Sequence, residues 1–182
     1  MYGMSRRQMT VTIAALGTAA FAAIIAASVA GMIPSPFASE KTGFSDEYSL
    51  VLKDLDGADV RLSTFKNDVL VAYVWASWCP YCADEIRHLA QLAETNEGRI
   101  RVVAINRGEP AAVAKSYLAQ LDGVQGLVFL LDPEDAFFKQ IGGYAMPETV
   151  FIRDRGEIVF HQRGPMKLDE VKTHLDELLK AR

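Results

Sequence analysis

The chain has 182 residues, half of them apolar, and a formal net charge of −4. That size suits one globular domain with a hydrophobic core plus one additional segment. Acidic side chains outnumber basic ones 23 to 19, so the sequence lacks the basic excess of nucleic-acid-binding proteins, and no nucleic-acid partner is expected. Only two cysteines are present, which excludes a fold held together by several disulfides.

The first 34 residues have the pattern of a membrane segment. The stretch Thr10–Ile33 carries no charge and, as a helix rising ~1.5 Å per residue, spans roughly 36 Å, enough to cross a hydrocarbon core of ~30 Å. Arg6 and Arg7 precede it, which places the N-terminus in the cytoplasm and the remainder outside. Residues 1–34 are therefore predicted to form an uncleaved signal anchor, a single transmembrane helix. A signal peptide cleaved near Ser28–Ala30 and a helix buried in a globular core are the alternatives.

Residues 35–46 contain Pro, Ser, Gly and charges and are predicted to link this segment to a domain over residues 47–182. Apolar runs predict strands at Ser49–Leu52, Val60–Leu62, Val69–Trp75, Arg101–Ile105, Gly126–Leu131, Thr149–Ile152 and Ile158–Gln162. Helical periodicity follows Pro80 and recurs at Ala111–Leu121, Phe137–Ile141 and Lys167–Lys180. Strands that alternate with helices indicate parallel units, and the last two strands form an antiparallel hairpin across Asp154–Gly156. The predicted class is α/β, a central mixed β-sheet flanked by helices with an N-terminal β-hairpin.

Cys79 and Cys82 lie three positions apart, where a buried strand passes into a helix. Two cysteines at this spacing can close a disulfide with their Cα atoms roughly 4.4–6.8 Å apart. Cys79 is predicted at the helix N-terminus, where unpaired N–H groups and the helix dipole favour a thiolate, so it is the expected nucleophile. Cys82, predicted one turn into the helix, is expected to resolve the mixed disulfide. Pro80, predicted in the first helical turn, costs no hydrogen bond there.

Other roles for the cysteine pair are open at this stage. Two ordinary buried cysteines would carry no chemistry, and half of a structural zinc site needs two further Cys or His ligands. The three histidines are singly spaced; His88 and His174 are interpreted as solvated helix residues and His161 as a strand-surface residue. No metal site is therefore predicted, and no cofactor other than a redox-active Cys79–Cys82 disulfide.

The segment Trp75–Cys82, with the sequence WASWCPYC, resembles the thioredoxin superfamily and more narrowly the TlpA/ResA/CcmG (DsbE) group of membrane-anchored thiol–disulfide oxidoreductases. The resemblance covers about residues 45–180. Glu85 matches the acid of that group's CxxCxxE pattern, and Met146–Thr149 resembles its cis-proline segment, with Pro-Glu-Thr most similar to the CcmG branch. The spacing between Cys82 and Pro147 fits the group's extra strand–helix insert.

This resemblance implies a thioredoxin-like fold in which a cis Met146–Pro147 bond places the Met146 backbone beside Cys79. There it can pair with an incoming peptide, whereas an ordinary strand-start proline is the alternative. The residues implied to bind substrate are Trp78, Pro80, Tyr81, Met146 and Pro147.

Two departures from the family pattern concern proton handling and electron flow. Thioredoxin has a buried acid six residues before its nucleophilic cysteine, where this chain has Tyr73. Proton handling then falls to Glu85 or to water, and a solvated helix residue is the alternative interpretation of Glu85. The Pro80–Tyr81 dipeptide resembles glutaredoxins, which leaves the direction of electron flow open.

The resemblance implies an enzyme, a protein-disulfide reductase on the periplasmic side of the bacterial inner membrane. The implied substrates are the haem-attachment cysteines of apocytochrome c or the cysteines of copper-centre assembly proteins. The implied electron donor is a membrane dithiol protein. A general disulfide-forming oxidase and a copper-binding module that uses the same thiols are the alternatives.

Overall fold

The computed structural model of the chain describes residues 50–65, 68–153 and 156–180. The predicted signal anchor at 1–34, the predicted linker at 35–46 and the predicted turn residues Asp154 and Arg155 lie outside these ranges. Within them, no helix combines the length and the apolar character that a membrane span requires.

The strands are β1 (Val51–Asp54), β2 (Asp59–Arg61), β3 (Leu70–Trp75), β4 (Arg101–Arg107), β5 (Val128–Asp132), β6 (Glu148–Ile152) and β7 (Ile158–Arg163). The helices are α1 (Cys82–Thr95), α2 (Ala111–Leu118), α3 (Ala136–Gln140) and α4 (Leu168–Lys180), and a 3-10 turn covers Leu62–Phe65. The described strands form one mixed sheet in the order β2–β1–β5–β4–β3–β6–β7. The predicted α/β class and the N-terminal hairpin of β1 and β2 are confirmed.

Strand β3 lies near the middle of the sheet because all six of its side chains are apolar and fit an environment buried on both faces. It pairs in parallel with β4 and antiparallel with β6. The antiparallel register sets Val74 opposite Glu148, so the C-terminal end of β3 and the N-terminal end of β6 meet at one edge of the sheet. The segment that carries the two cysteines leaves β3 at this edge.

Helices cover both faces of the sheet. One core cluster joins the apolar sides of α1, α2 and α4 to one face, through residues such as Ile86, Ala114 and Leu175. A second cluster joins α3 and the 3-10 turn to the other face, through residues such as Phe137 and Leu62. Because β3, β4 and β5 follow one another in the same direction across the sheet, right-handed crossovers place α1 and α2 on the same side.

Helix α2 ends at Leu118, three residues before the predicted end at Leu121. The N–H of Gln120 donates to the carbonyl of Tyr117, and that of Leu121 donates to the carbonyl of Leu118. These bonds between residues three apart replace the α-helical pattern and tighten the last turn. The remaining helix and strand ends lie within a few residues of their predicted positions.

Candidate active site

Cys79 and Cys82 are joined by a disulfide, with their Cα atoms 5.5 Å apart. Both residues are buried, at 2% and 0% exposure, beneath the edge of the sheet where β3 ends. They belong to the same core cluster as Tyr73 and Trp75 of β3. The covalent pairing expected from the spacing is therefore present, and the disulfide rests on the hydrophobic core.

Helix α1 begins at Cys82, so the prediction that Cys82 lies one turn inside the helix is wrong. Pro80 and Tyr81 form a turn before the helix, in which the Cys82 N–H donates to the Cys79 carbonyl at 3.3 Å. Proline restricts the backbone there and donates no hydrogen bond, which suits a turn as well as a first helical position. Both cysteines thus lie at the N-terminal end of α1, where the helix dipole favours negative charge.

The Met146–Pro147 peptide bond is cis, as the family resemblance implied. Pro147 directly precedes β6, and its carbonyl accepts a hydrogen bond from the Gly164 N–H at 2.8 Å. The Met146 side chain is partly buried and packs against the core cluster that contains both cysteines. The proline segment and the cysteine segment therefore lie at the same edge of the sheet.

Exposed aromatic side chains surround this edge. Trp78 is 62% exposed, Tyr81 is 57% exposed, and Tyr144, two residues before Met146, is 78% exposed. The guanidinium of Arg163 lies over the Tyr144 ring at 5.0 Å from its centroid. Exposed aromatic rings of this kind are typical of surfaces that contact other proteins.

Glu85 is buried on α1, one turn after Cys82, and is 8% exposed. Its Oε1 accepts a hydrogen bond of 2.8 Å from the Met166 N–H, across 81 residues of sequence. Burial raises the pKa of this carboxyl to about 7, although the Met166 N–H and the Tyr73 hydroxyl act in the opposite direction. The alternative interpretation of Glu85 as a solvated helix residue is wrong, because the side chain is buried.

Tyr73 lies at the centre of β3, on the same side of the sheet as Glu85, and is fully buried. Burial raises the pKa of its hydroxyl far above the ordinary tyrosine value, and the nearby Glu85 carboxyl raises it further. Among the described residues, none accepts a well-formed hydrogen bond from this hydroxyl. A tyrosine and a glutamate are therefore buried on the side of the sheet whose core cluster includes both cysteines.

A second carboxyl, that of Glu109, holds the segment before Cys79. Glu109 accepts hydrogen bonds from the Ser77 N–H at 2.8 Å, from the Ser77 hydroxyl at 2.5 Å and from the Asn106 side-chain amide at 2.6 Å. Burial raises the pKa of Glu109, but these bonds outweigh it and bring the pKa below its usual value. Glu109 thus ties the cysteine segment to the loop that follows β4.

A third carboxyl, that of fully buried Glu148, holds the segment before the cis-proline. Its Oε1 accepts from the N–H groups of Tyr144 and Ala145 at 2.7 and 2.6 Å, and its Oε2 lies 2.7 Å from the His161 Nε2. The interpretation of His161 as a strand-surface residue is wrong, since its side chain is 11% exposed and pairs with Glu148. Burial lowers the pKa of His161 in spite of this carboxylate.

Metal ligands do not gather in the described part of the chain: no three His, Cys, Asp or Glu side chains there are placed to share an ion. His174, interpreted from the sequence as a solvated helix residue, stacks on Phe160 with ring centroids 3.6 Å apart. The site described by the structure is thus a disulfide with three buried carboxyls around it.

The sequence profile of the Redoxin family matches residues 36–179 of the chain. The chain belongs to the Redoxin family. This match covers the described domain from its start to residue 179, and the thioredoxin-like fold follows from it.

Named relatives narrow the chemistry of this redoxin. It is 25% identical over 161 residues to "Thiol-disulfide oxidoreductase ResA" of Geobacillus thermodenitrificans strain NG80-2, covering 85% of this chain and 90% of that one. It is 34% identical over 145 residues to "Thiol:disulfide interchange protein DsbE" of Allochromatium vinosum strain ATCC 17899, covering 74% and 71%. Among solved structures, the exposed lipoprotein thioredoxin Etrx1 of Streptococcus pneumoniae strain TIGR4 has a TM-score of 0.63 at 28% identity, covering 71% and 98%. The chain is a thiol–disulfide oxidoreductase of the ResA and DsbE type.

Sequence reasoning missed two of the carboxyls of this redoxin as site residues, Glu109 and Glu148. Glu109 lies in a Gly-Glu-Pro loop without periodicity, and its contact with Ser77 spans 32 residues, so no local signal marked it. Glu148 did carry a signal. In the predicted hairpin, alternation puts Glu148 on the same face as Val150, which pairs with His161 in the structure. A buried acid next to a histidine could have been inferred from that pairing.

Proposed function

We propose that this protein is an extracytoplasmic reductase of specific protein disulfides, in which Cys79 attacks and Cys82 resolves. The observation that carries the proposal is the buried Cys79–Cys82 disulfide, located at the start of α1 and at the same edge of the sheet as a cis-proline segment. The cysteines carry the redox equivalents themselves, without a further cofactor. Residues 1–34 anchor the protein in the bacterial inner membrane, residues 35–46 form a linker, and residues 47–182 act in the periplasm.

The first step is attack by the Cys79 thiolate on one sulfur of the substrate disulfide. A Cys79–substrate disulfide forms, the substrate disulfide breaks, and the released substrate thiolate takes up a proton. Cys79 suits this role because it precedes the N-terminus of α1, whose unpaired N–H groups stabilise a thiolate. It is also flanked by the exposed Trp78 and Pro80, which a protein partner can reach.

The second step regenerates the disulfide. Cys82 loses its proton and attacks the sulfur of Cys79, so that the Cys79–Cys82 bond forms and the second substrate thiol leaves. Two electrons and two protons have then passed to the substrate, and the enzyme dithiol is oxidised. Glu85 accepts the Cys82 proton, a role that is supported by its position one turn along α1 and by its pKa of about 7.

Substrate binding falls to the residues around the disulfide, namely Trp78, Pro80, Tyr81, Met146 and Pro147. Trp78 and Tyr81 offer exposed aromatic surface next to the sulfur atoms. The backbone of Met146, next to the cis peptide bond, is the group with which a substrate peptide pairs, as a strand adds to a sheet. The expected partners are apocytochrome c or copper-centre assembly proteins, with a membrane dithiol protein as the electron donor.

The experiment that tests this function is mixed-disulfide trapping with the full-length Cys82→Ala variant in living cells. Removal of the resolving thiol should leave the substrate attached to Cys79, and the trapped partners can be identified by mass spectrometry. The matched Cys79→Ala variant keeps one thiol and should trap little. Recovery of apocytochrome c or a copper-centre assembly protein supports the proposal.

Two results would contradict it. A broad set of secreted proteins trapped on Cys79 would indicate a general disulfide-forming oxidase. Tight, stoichiometric Cu(I) binding by the purified protein, with no disulfide exchange activity, would indicate a copper-binding module.

A further inference from the structure

The hydroxyl of Tyr73 is buried at the centre of the sheet without a well-formed hydrogen bond. Water does not reach this hydroxyl, because Tyr73 is fully buried in a strand that lies between β4 and β6. A buried hydroxyl without a partner is destabilising, so a state of the protein in which it gains one is favoured.

Glu85 is the acceptor that the geometry offers. It is buried on α1, and Tyr73 belongs to the core cluster against which α1 packs. Of the charged groups, the Glu85 carboxyl also raises the pKa of the Tyr73 hydroxyl most. The Met166 N–H donates to Oε1 of Glu85 at 2.8 Å and holds the carboxyl in place.

We propose that Tyr73 is a positioning residue whose buried hydroxyl donates a hydrogen bond to the ionised Glu85 carboxylate, and that it thereby sets the pH at which Glu85 exchanges protons with the dithiol. The proposal rests on the proposed function of Glu85 as the acceptor of the Cys82 proton. It assigns to Tyr73 a role in the place where thioredoxin has an acid. In this chain the acid lies on the helix and the strand contributes the group that controls it.

The proton transfer that Tyr73 controls involves only Cys82, Glu85 and the released substrate thiolate or water. Before the second step, the Cys82 thiol gives its proton to the Glu85 carboxylate, and the Cys82 thiolate attacks the sulfur of Cys79. Glu85 then returns the proton to the released substrate thiolate or to water. Without the Tyr73 hydroxyl, more of Glu85 is protonated at neutral pH, and less of it is able to accept the Cys82 proton.

Several other titratable groups lie on the segments around Tyr73 and Glu85. On α1, Asp84 and Arg87 pair with each other at 3.0 Å on the exposed side. Tyr117 of α2 raises the pKa of Tyr73 but does not act on Glu85. Further titratable groups on the adjoining segments are His88 and Glu94 of α1 and Arg163 and Lys167 around Met166. Helix α4 carries Asp169, Glu170, Lys172, His174, Asp176, Glu177 and Lys180.

The test is a carbon-13 NMR titration of the Glu85 carboxyl in the full-length protein, with Glu85→Gln used to assign the resonance. In Tyr73→Phe, which keeps the ring and removes only the hydroxyl, the titration midpoint of Glu85 should rise by about one pH unit. The pH profile for resolution of a trapped mixed disulfide should move upward by the same amount. Tyr117→Phe is the matched control and should move neither.

An unchanged Glu85 midpoint in folded Tyr73→Phe overturns the proposal. If that variant does not fold, the wild-type protein provides the answer, because the Tyr73 ring-carbon resonances should titrate with the same midpoint as Glu85. Ring resonances that stay flat through that midpoint overturn it equally. Failure of the wild-type enzyme to reduce any protein disulfide would refute the proposed function instead, and it would leave these NMR results to decide on the Tyr73 hydrogen bond.

Discussion

Glu85 and Glu109 flank the disulfide segment and are almost equally exposed, at 8% and 9%, yet their pKa values move in opposite directions. Glu85 accepts one well-formed hydrogen bond, from the Met166 N–H, and its pKa rises to about 7. Glu109 accepts three, and its pKa falls below the ordinary value. Burial is the largest single influence on the pKa of both carboxyls, but only at Glu109 do the hydrogen-bond donors outweigh it.

The difference shows what a buried carboxyl needs in order to serve as a structural group or as a proton acceptor. Donors that point at a carboxylate compensate for lost water and keep it charged, so it acts as a fixed anchor. A carboxyl with few donors stays near its protonation midpoint at neutral pH and can take up or release a proton. Glu109, with three donors, has the environment of a fixed anchor, and Glu85, with one, has that of a proton acceptor.

The largest effect on stability is expected at Glu148, a third buried carboxyl. Like Glu109, it has several hydrogen-bond partners. Glu148→Ala removes the acceptor for the N–H groups of Tyr144 and Ala145 and the partner of His161. Loss of a fully buried, hydrogen-bonded charge should lower the free energy of unfolding by roughly 3–5 kcal/mol. Urea denaturation measures this, and Glu134→Ala, at an exposed position, should cost less than about 0.5 kcal/mol. A loss at Glu148 as small as in the control would contradict the account.

The second effect is a pH-dependent stability difference between the wild-type protein and Glu85→Gln. Folding raises the pKa of Glu85, so the folded state holds its proton more tightly than the unfolded state, and stability is lost as the pH rises. The rise in the Glu85 pKa from 4.5 to about 7 corresponds to a loss of roughly 3 kcal/mol in the free energy of unfolding once Glu85 is ionised in both states. Glu85→Gln should therefore match the wild type near pH 4 and be more stable by up to this amount above pH 8.

The control for this experiment is Glu94→Gln, at an exposed position on the same helix. It should follow the wild-type stability across the whole pH range. If Glu85→Gln also followed the wild type, Glu85 would have an ordinary carboxyl pKa, and the contrast with Glu109 would disappear.

The smallest effect is expected at Glu109, with the opposite sign. Folding lowers the pKa of this carboxyl, so its contribution to stability is present above its unfolded pKa and is lost as the pH falls through the folded value. Glu109→Gln keeps the shape but removes the charge, and it should lower stability at pH 7 by about 1 kcal/mol. Near pH 3 the two proteins should converge. Greater stability of the variant at pH 7 would contradict a lowered pKa of Glu109 in the folded protein.

The parts of this structure that the sequence predicts are those with local signals. Strand β3 was predicted at Val69–Trp75 and begins one residue later, because its continuous apolar run suits only a buried position. The last helix was predicted at Lys167–Lys180 and is likewise one residue shorter, since its apolar side chains repeat with helical spacing. The two cysteines were predictable because their spacing alone permits a disulfide.

The rest of the site depends on contacts between distant segments, which no local pattern encodes. Glu85 meets the Met166 N–H across 81 residues, and Ser77 meets Glu109 across 32. The pKa of each carboxyl is set by these donors and by depth, so the sequence could name Glu85 as a candidate but could not give its environment. The start of α1 was misplaced for a related reason, because Pro80 is compatible with both a turn and a first helical residue.

The reduction potential of the Cys79–Cys82 pair in the full-length protein decides whether this dithiol gives electrons to its substrates or takes them. The purified protein can be equilibrated in dithiothreitol redox buffers, and the oxidised fraction followed by fluorescence of Trp75 and Trp78 or by thiol alkylation. A reductase of specific disulfides should have a potential near that of thioredoxin, roughly −270 mV. A potential near −120 mV, as for a strong disulfide-forming oxidase, would contradict the claim that electrons flow from this dithiol to its substrates.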